Sequence, residues 1–139
     1  MKITKEITFD SAHMLSDYVG KCTNLHGHTY KLQVVVEGEV RSNRMVIDFN
    51  DLKKTIEEEV MANFDHAVIF SDSKFRNEAE QALYEWAKKY NKKYFVMPYG
   101  KTTCEDIAPV IQENLQLVLG SGYKIGVRLW ETPTSFAEV

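Results

Sequence analysis

The sequence is poor in cysteine and proline, and it has no long hydrophobic run. Only two of its 139 residues are cysteines, Cys22 and Cys104, and only three are prolines. Two cysteines are too few for the disulfide framework of a small secreted domain. No apolar run approaches the roughly 18 residues that span a bilayer, and the first residues alternate between polar and apolar types, unlike a signal peptide. We therefore expect a cytoplasmic protein.

An excess of positive charge is also absent. The chain carries 17 Lys and Arg against 20 Asp and Glu, which gives a net charge of -3. The sequence lacks the excess of basic residues that binds nucleic acid or an anionic membrane, so we expect neither as a partner. The length and the apolar fraction of 44% suit one globular domain. The prediction is a single domain over residues 1–139.

Side-chain alternation predicts strands near both ends of the chain, with helices between them. The strands cover about 3–9, 28–37 and 123–131, with shorter ones over 45–47 and 94–97. Helices are predicted from a cap at Asp48 or Asn50 over 51–61, and over 77–90 with an apolar stripe of Ala79, Ala82, Leu83, Trp86 and Ala87. A third follows a cap at Thr102 or Thr103 and ends at Gly120, with Pro109 kinking or delaying its start. This order is typical of an α+β fold with a largely antiparallel sheet.

Three of the four histidines lie between positions 13 and 28, and their spacing indicates a metal site. His26 and His28 are two residues apart at the start of a strand, so they point to the same face. His13 continues the apolar face of the first strand. If these strands pair as a hairpin, all three imidazoles can meet at one end of the sheet. Three imidazoles with one position left open are typical of catalytic zinc.

Two other interpretations of this cluster remain open at this point. The histidines can be ordinary surface or core residues, or Cys22 can be the fourth ligand of a structural zinc site. Cys22 lies four residues before His26 and can be a ligand, a nucleophile or base, or an inert thiol. Cys104 has no histidine near it in sequence and is better interpreted as a small buried apolar residue.

The order of several short motifs resembles that of a known enzyme family. The motifs are Phe9-Asp10-Ser11-Ala12-His13, Cys22-Thr23-Asn24-Leu25-His26-Gly27-His28, Asp65-His66, Thr102-Thr103-Cys104-Glu105 and Trp130-Glu131-Thr132. Together they resemble the 6-pyruvoyl-tetrahydropterin synthase family over nearly the whole chain. The three residues between Cys22 and His26 resemble the 6-carboxytetrahydropterin branch of queuosine biosynthesis, because the animal pyruvoyl synthases have a longer spacing. Lys101 departs from the family, in which many members have proline.

The resemblance implies a zinc-dependent lyase that acts on 7,8-dihydroneopterin triphosphate. Its products would be 6-carboxy-5,6,7,8-tetrahydropterin, acetaldehyde and triphosphate. His13, His26 and His28 would bind Zn²⁺, and Cys22 as a thiolate would move protons. The implied proton relay consists of Asp65, His66 and Glu105. Glu131 continues the buried face of its strand and would accept two hydrogen bonds from the pterin.

Each of these assignments has a simpler alternative. His66 can be structural, and Asp65 can bond the backbone of a turn. Glu105 can have no role beyond a favourable interaction with the helix dipole. Glu131 can lie in water past the end of its strand. Among functions, the alternatives are pyruvoyl synthesis, a zinc hydrolase or hydratase with no use for Cys22 or Glu131, and a zinc-stabilised module without activity.

The family resemblance also implies an architecture. This is the tunnelling fold, an antiparallel sheet with helices on one face, in which sheets from several subunits join into a barrel. Pterin sites would lie between subunits of a homohexamer. Such closure would also protect exposed sheet edges.

Overall fold

The structure, a computed structural model, describes all 139 residues. One six-stranded sheet has the strand order β4-β3-β1-β2-β5-β6. The strands are β1 (Lys2–His13), β2 (His26–Glu37), β3 (Ala67–Phe70), β4 (Tyr94–Val96), β5 (Lys124–Thr132) and β6 (Ser135–Glu138). The helices are α1 (Phe49–Ile56), α2 (Ala62–Phe64), α3 (Glu78–Lys89) and α4 (Cys104–Leu119), and a π-helical stretch, Glu57–Met61, joins α1 to α2. No helix combines the length and hydropathy needed to cross a membrane.

The sheet is mixed and does not close into a barrel within one chain. Strands β1 and β2 form a long antiparallel hairpin in which Lys2 lies opposite Glu37 and His13 lies opposite His26. Antiparallel pairing continues through β5 and β6, whereas β3 and β4 join the edge of β1 in parallel. The antiparallel prediction therefore describes the centre of the sheet and is wrong for the β3–β4 edge. Both of these strands are reached through helices, as parallel strands require.

The hydrophobic core lies on one face of the sheet. Alternate residues of β2 and β5 are fully buried there, among them Leu32 and Leu129, and they pack with Ile56 of α1 and Ile111 of α4. The opposite face of β1 carries exposed polar residues such as Thr8. The predicted α+β class with one helix-covered face is thus confirmed, because strand alternation separates apolar from polar side chains.

Around helices α1 and α3, two local predictions hold and two fail. Asp48 caps α1 by accepting a hydrogen bond from the Asn50 N–H at 2.7 Å. The short strand predicted over 45–47 is not formed. Helix α3 has the predicted extent, but its apolar stripe is wrong, since Ala79, Ala82 and Trp86 are exposed. The fully buried positions of α3 are Glu80 and Ala87.

Helix α4 begins at Cys104 and continues past Pro109 to Leu119. The predicted delay of its start is therefore wrong. Gly120 ends the helix with φ +83°, a conformation that favours glycine. Thr103 occupies the N-cap position but its side chain makes no capping hydrogen bond. The Thr102 hydroxyl instead donates to the Met14 carbonyl at 2.9 Å, next to the end of β1.

Candidate metal centre

The end of the β1–β2 hairpin brings three histidines together. His13 and His26 are directly opposite partners, and His28 follows on the same face of β2. The Nε2 atoms of His13 and His26 are 3.1 Å apart. The coordinating nitrogens of all three side chains lie within 4.8 Å of one another. The predicted convergence is confirmed, and the register of the hairpin produces it.

Backbone carbonyls fix the orientation of two of these rings. The Nδ1 atom of His13 lies 2.7 Å from the Thr102 carbonyl oxygen, and that of His26 lies 2.7 Å from the Asn24 carbonyl oxygen. A carbonyl can only accept, so each Nδ1 carries the proton and donates it. In the neutral tautomer each Nε2 then presents a lone pair to the centre of the cluster. Histidine ligands of metals are oriented in this way.

The electrostatics of the cluster favour a cation. Two Nε2 lone pairs that face each other across 3.1 Å repel unless a proton or a metal lies between them. Tetrahedral zinc with Zn–N bonds near 2.05 Å requires a similar N···N separation of about 3.3 Å. The Nε2 of His28 is buried and has no hydrogen-bond partner. Burial lowers the pKa of His13 to about 4 and also lowers that of His28. Both are therefore neutral near pH 7, the form that binds metals.

Glu131 adds a carboxylate to this centre. Its Oε1 lies 3.5 Å from the His13 Nε2 and 3.7 Å from the His28 Nε2. The residue lies inside β5, not beyond its end, at a register shift between Trp130 and Thr132. Such bulges re-aim side chains next to active sites. The carboxylate thus lies beside the imidazoles of His13 and His28.

Cys22 lies near the centre in sequence but is not one of the grouped ligands. It occupies a 3₁₀ turn, Lys21–Thr23, where it is half-buried and free. Its thiol makes no hydrogen bond, and the cluster of ligand atoms comprises the three histidines without it. This geometry gives no support to Cys22 as a fourth ligand. Cys104, as expected, is buried, and burial raises the pKa of its thiol to about 12.

The Asp65–His66 pair lies in the turn between α2 and β3. Asp65 Oδ1 accepts the Asp10 N–H at 3.1 Å, and its Oδ2 lies 2.9 Å from His66 Nδ1. His66 adopts φ +58°, and its N–H donates to the Asp10 carbonyl at 2.7 Å. Burial opposes ionisation of Asp65, yet the hydrogen bonds from Asp10 and His66 hold its pKa below the usual value. The aspartate therefore orients the His66 ring.

His66 lines a cavity of about 460 Å³, whose wall also includes Asp10, Thr29 and His28 of the three-histidine cluster. The His66 side chain is 76% exposed. No hydrogen bond or ion pair joins Cys22 to Asp65, His66 or Glu105 within the chain. Glu105 is exposed in the first turn of α4. One chain thus brings the metal ligands and Glu131 together, but not the members of the predicted relay.

Sequence reasoning missed three groups around the centre. The carbonyls of Asn24 and Thr102 orient ligands, but backbone acceptors leave no signal in residue type. Thr102 is also 89 residues from His13 in the chain. Tyr30 fits the apolar pattern of β2, yet its buried hydroxyl lies beside His28 without a partner. Burial raises the pKa of this phenol well above its usual value.

Comparison with known proteins agrees with this geometry. A model of the 6-pyruvoyl tetrahydropterin synthase family matches residues 2–139. The chain belongs to this family. The resemblance inferred from the motifs is therefore confirmed, and the match covers every residue of the metal centre and of the Asp65–His66 turn.

Individual relatives within the family include curated enzymes and solved structures. The chain is 44% identical to the 6-carboxy-5,6,7,8-tetrahydropterin synthase of Haemophilus influenzae, over 99% of this chain and 96% of that protein. It is 29% identical to the enzyme of that name from Rickettsia felis, over 100% and 99% of the two chains. The 6-pyruvoyl tetrahydropterin synthase structure of Plasmodium falciparum superposes with a TM-score of 0.72 at 25% identity, over 100% and 96% of the chains.

Proposed function

We propose that this protein is a zinc-dependent carbon–oxygen lyase of queuosine biosynthesis that works in the cytoplasm. It converts 7,8-dihydroneopterin triphosphate and water to 6-carboxy-5,6,7,8-tetrahydropterin, acetaldehyde and triphosphate. The observation that carries this proposal is the pair of fixed Nε2 atoms on His13 and His26, which face each other across 3.1 Å. The 44% identity to a 6-carboxytetrahydropterin synthase supports the choice of product.

His13, His26 and His28 would hold the metal. Zinc suits imidazole ligands, and three of them leave one position open for substrate oxygen. When bound, zinc supplies Lewis-acid chemistry that polarises the substrate side chain and stabilises developing negative charge on its oxygens. The Thr102 and Asn24 carbonyls keep two of the ligands in the tautomer that coordination needs.

Cys22 is the proposed proton carrier. A thiolate there takes a proton from the substrate side chain and returns one to the substrate, as a general base and then a general acid. Asp65 holds His66 by Nδ1, which leaves the exposed Nε2 free to exchange a proton. Glu105 is the third member of the proposed relay. Because one chain does not join these groups, we propose that they meet between subunits of a homohexamer whose sheets close into a barrel.

Glu131 is the proposed pterin-binding residue. A carboxylate can accept two hydrogen bonds, one from the 2-amino group and one from N3–H of the pterin. Its distance of 3.5 Å from His13 Nε2 would keep the pterin close to the metal. The change E131Q removes one of the two acceptors and should raise KM. E138Q is the matched control, since Glu138 on β6 is exposed and pairs with Arg128 on β5.

The deciding experiment is product analysis by mass spectrometry. The purified protein, loaded with zinc and assayed for metal content, is incubated with 7,8-dihydroneopterin triphosphate. Acetaldehyde together with a carboxypterin is the expected result. A product that retains the three-carbon side chain would move the assignment to pyruvoyl synthesis. Absence of any turnover by the zinc-loaded oligomer would overturn both reactions and favour a zinc hydrolase or a zinc-stabilised module.

A further inference from the structure

Glu80 on α3 is the one acidic or basic side chain that is fully buried, apart from His13. Its Oε1 accepts the Ser71 N–H at 2.7 Å, and its Oε2 accepts the hydroxyl of Ser16. It forms no ion pair. Burying a carboxylate costs free energy that hydrogen bonds only partly offset. A carboxylate in such a place therefore calls for a reason beyond packing.

The position of Glu80 in its helix makes this arrangement unusual. Asn77 is the N-cap of α3, and its Oδ1 accepts the Glu80 N–H at 2.9 Å. A glutamate three residues after the cap normally reaches back to the N-cap N–H and closes a capping box. Glu80 turns inward instead and joins the end of β3, at Ser71, to the segment that follows β1, at Ser16. Its side chain connects segments and does not cap its own helix.

Two hydrogen bonds hold Ser16, and its neighbour in the chain is hydrogen-bonded to Cys22. Its hydroxyl donates to Glu80, and its carbonyl accepts the Asn77 Nδ2–H at 2.7 Å. The preceding residue, Leu15, donates its N–H to the Cys22 carbonyl at 2.9 Å. Ser16 is therefore the next residue in the chain after Leu15, whose hydrogen bond holds Cys22.

The rest of this segment has few other attachments to the protein. Residues 17–21 are exposed, and Val19 is 97% exposed. Lys101 pairs with Asp17 at 3.1 Å, but exposed ion pairs contribute little. The Thr102 hydroxyl holds the Met14 carbonyl and so fixes the end of β1. Beyond Met14, the hydrogen bonds of Glu80 and Asn77 to Ser16 are thus the main restraint that other elements place on the segment leading to Cys22.

We propose that Glu80, with Asn77, is a positioning residue for Cys22. It holds Ser16 and, through the hydrogen bond between Leu15 and Cys22, fixes the location of the thiol relative to the metal centre. The inference rests on the catalytic role of Cys22 stated above. The side chain of Glu80 bonds to Ser16 and Ser71 and not to the three histidines, so its loss should leave metal binding intact.

The test compares E80A and S16A with E80Q in the zinc-loaded enzyme. The glutamine side chain of E80Q can accept from the Ser71 N–H with its oxygen and donate to the Ser16 hydroxyl with its amide, so this variant should retain most activity. E80A and S16A should lower kcat by about 10-fold or more, because small misplacements of a reacting group are costly. KM and zinc content should change little. E78A is the matched control, since Glu78 is exposed in the same helical turn.

A second measurement does not depend on turnover. Iodoacetamide alkylation, located by peptide mass spectrometry, reports the exposure of Cys22, while Cys104 is buried. The rate at Cys22 should rise several-fold in E80A and S16A but not in E80Q or E78A. If wild-type protein showed no turnover, the proposed function would fail while alkylation still tested the restraint.

Two outcomes would overturn the inference. Unchanged alkylation and unchanged kcat in S16A, with only a lower Tm, would mean that Glu80 serves stability alone. Loss of zinc in S16A would mean that the hydrogen bonds shape the metal site and not the thiol. S16A removes a single hydroxyl, so it decides the question even if E80A fails to fold.

Discussion

The three clustered histidines and His66 occupy contrasting surroundings. His13 is 1% exposed, and it and His26 donate Nδ1–H to backbone carbonyls. His66 is 76% exposed, has a left-handed backbone and is oriented by one aspartate. The clustered histidines are buried or half-buried, whereas His66 lines a cavity whose wall also includes Asp10, Thr29 and His28. The three-histidine cluster forms within one chain, whereas His66 exposes the ring nitrogen that Asp65 does not hold.

This contrast shows that the two parts of the site depend on different levels of structure. Strand register alone assembles the three clustered histidines, because His13 and His26 are opposite partners in the β1–β2 hairpin. The proposed relay needs something further, because no hydrogen bond or ion pair joins Cys22 to His66 within one chain. Metal binding and proton transfer should therefore respond separately to mutation, dilution and pH.

The largest effect should follow removal of a metal ligand. Loss of a residue that only orients a ligand lowers metal affinity by about 10–100-fold, and H28A should exceed this and abolish turnover. H66A should bind zinc normally while losing activity. Metal analysis after dialysis, with turnover measured on the same samples, checks both. Equal zinc retention by H28A and wild type would show that the cluster is not the metal site.

The next largest effect concerns Cys22. C22A should lower kcat by roughly 10²–10⁴-fold, the usual contribution of general acid–base catalysis, and should keep a full complement of zinc. Steady-state kinetics and metal stoichiometry are the measurements. If zinc were lost from C22A, the thiol would be a ligand, and the structural zinc site would regain support. C104A serves as a control for loss of a thiol elsewhere.

A mixing experiment tests whether the relay forms between chains. C22A and H66A proteins, each inactive alone, should regain partial activity after subunit exchange, because some interfaces would then carry an intact Cys22 and an intact His66. Exchange is verified by mass spectrometry of differently tagged subunits. Exchanged mixtures that stay as inactive as the separate variants would argue for a relay within one chain.

The smallest effect concerns pH and the metal-free protein. Burial lowers the pKa of His13 from 6.5 to about 4 in the folded state. Between pH 6.5 and about pH 4, His13 takes up a proton in the unfolded chain but stays neutral in the folded protein. The contribution to stability is fully present above pH 6.5 and is lost as pH falls toward 4.

Urea denaturation of metal-free protein between pH 7 and 4 measures this loss. The free energy of unfolding of wild type should fall by up to a few kcal/mol more than that of H13N, in which the asparagine amide can still donate to Thr102. Parallel pH profiles for the two proteins would contradict the assignment.

The convergence of the three histidines could be predicted from the sequence because its geometry follows from local rules. Strand alternation placed His26 and His28 on one face, and hairpin pairing placed His13 opposite them. The orientation of His13 could not be predicted, since its partner is a backbone carbonyl 89 residues away. The stripe assigned to α3 failed for a related reason. The apolar spacing predicted that Trp86 is buried. In the structure, hydrogen bonds from Ser16 and Ser71 hold the polar side chain of Glu80 on the buried face instead.

Long-range pairing also limited the prediction of the sheet. Strands β3 and β6 have four residues each, too short for a clear period. The parallel attachment of β3 to β1 depends on Asp10 and Ser11, which are more than 50 residues away from their partners at the Asp65–His66 turn. The π-helical stretch Glu57–Met61 precedes this turn and has no marker in residue type.

The hairpin register has a consequence for how the site can change. His13 and His26 are fixed by twelve facing residue pairs, so the length of the connection between them is not what locates the three histidines. Residues inserted or deleted around Cys22 should leave this cluster in place. Engineered variation in that connection is therefore expected to move the Cys22 thiol without rebuilding the histidine cluster.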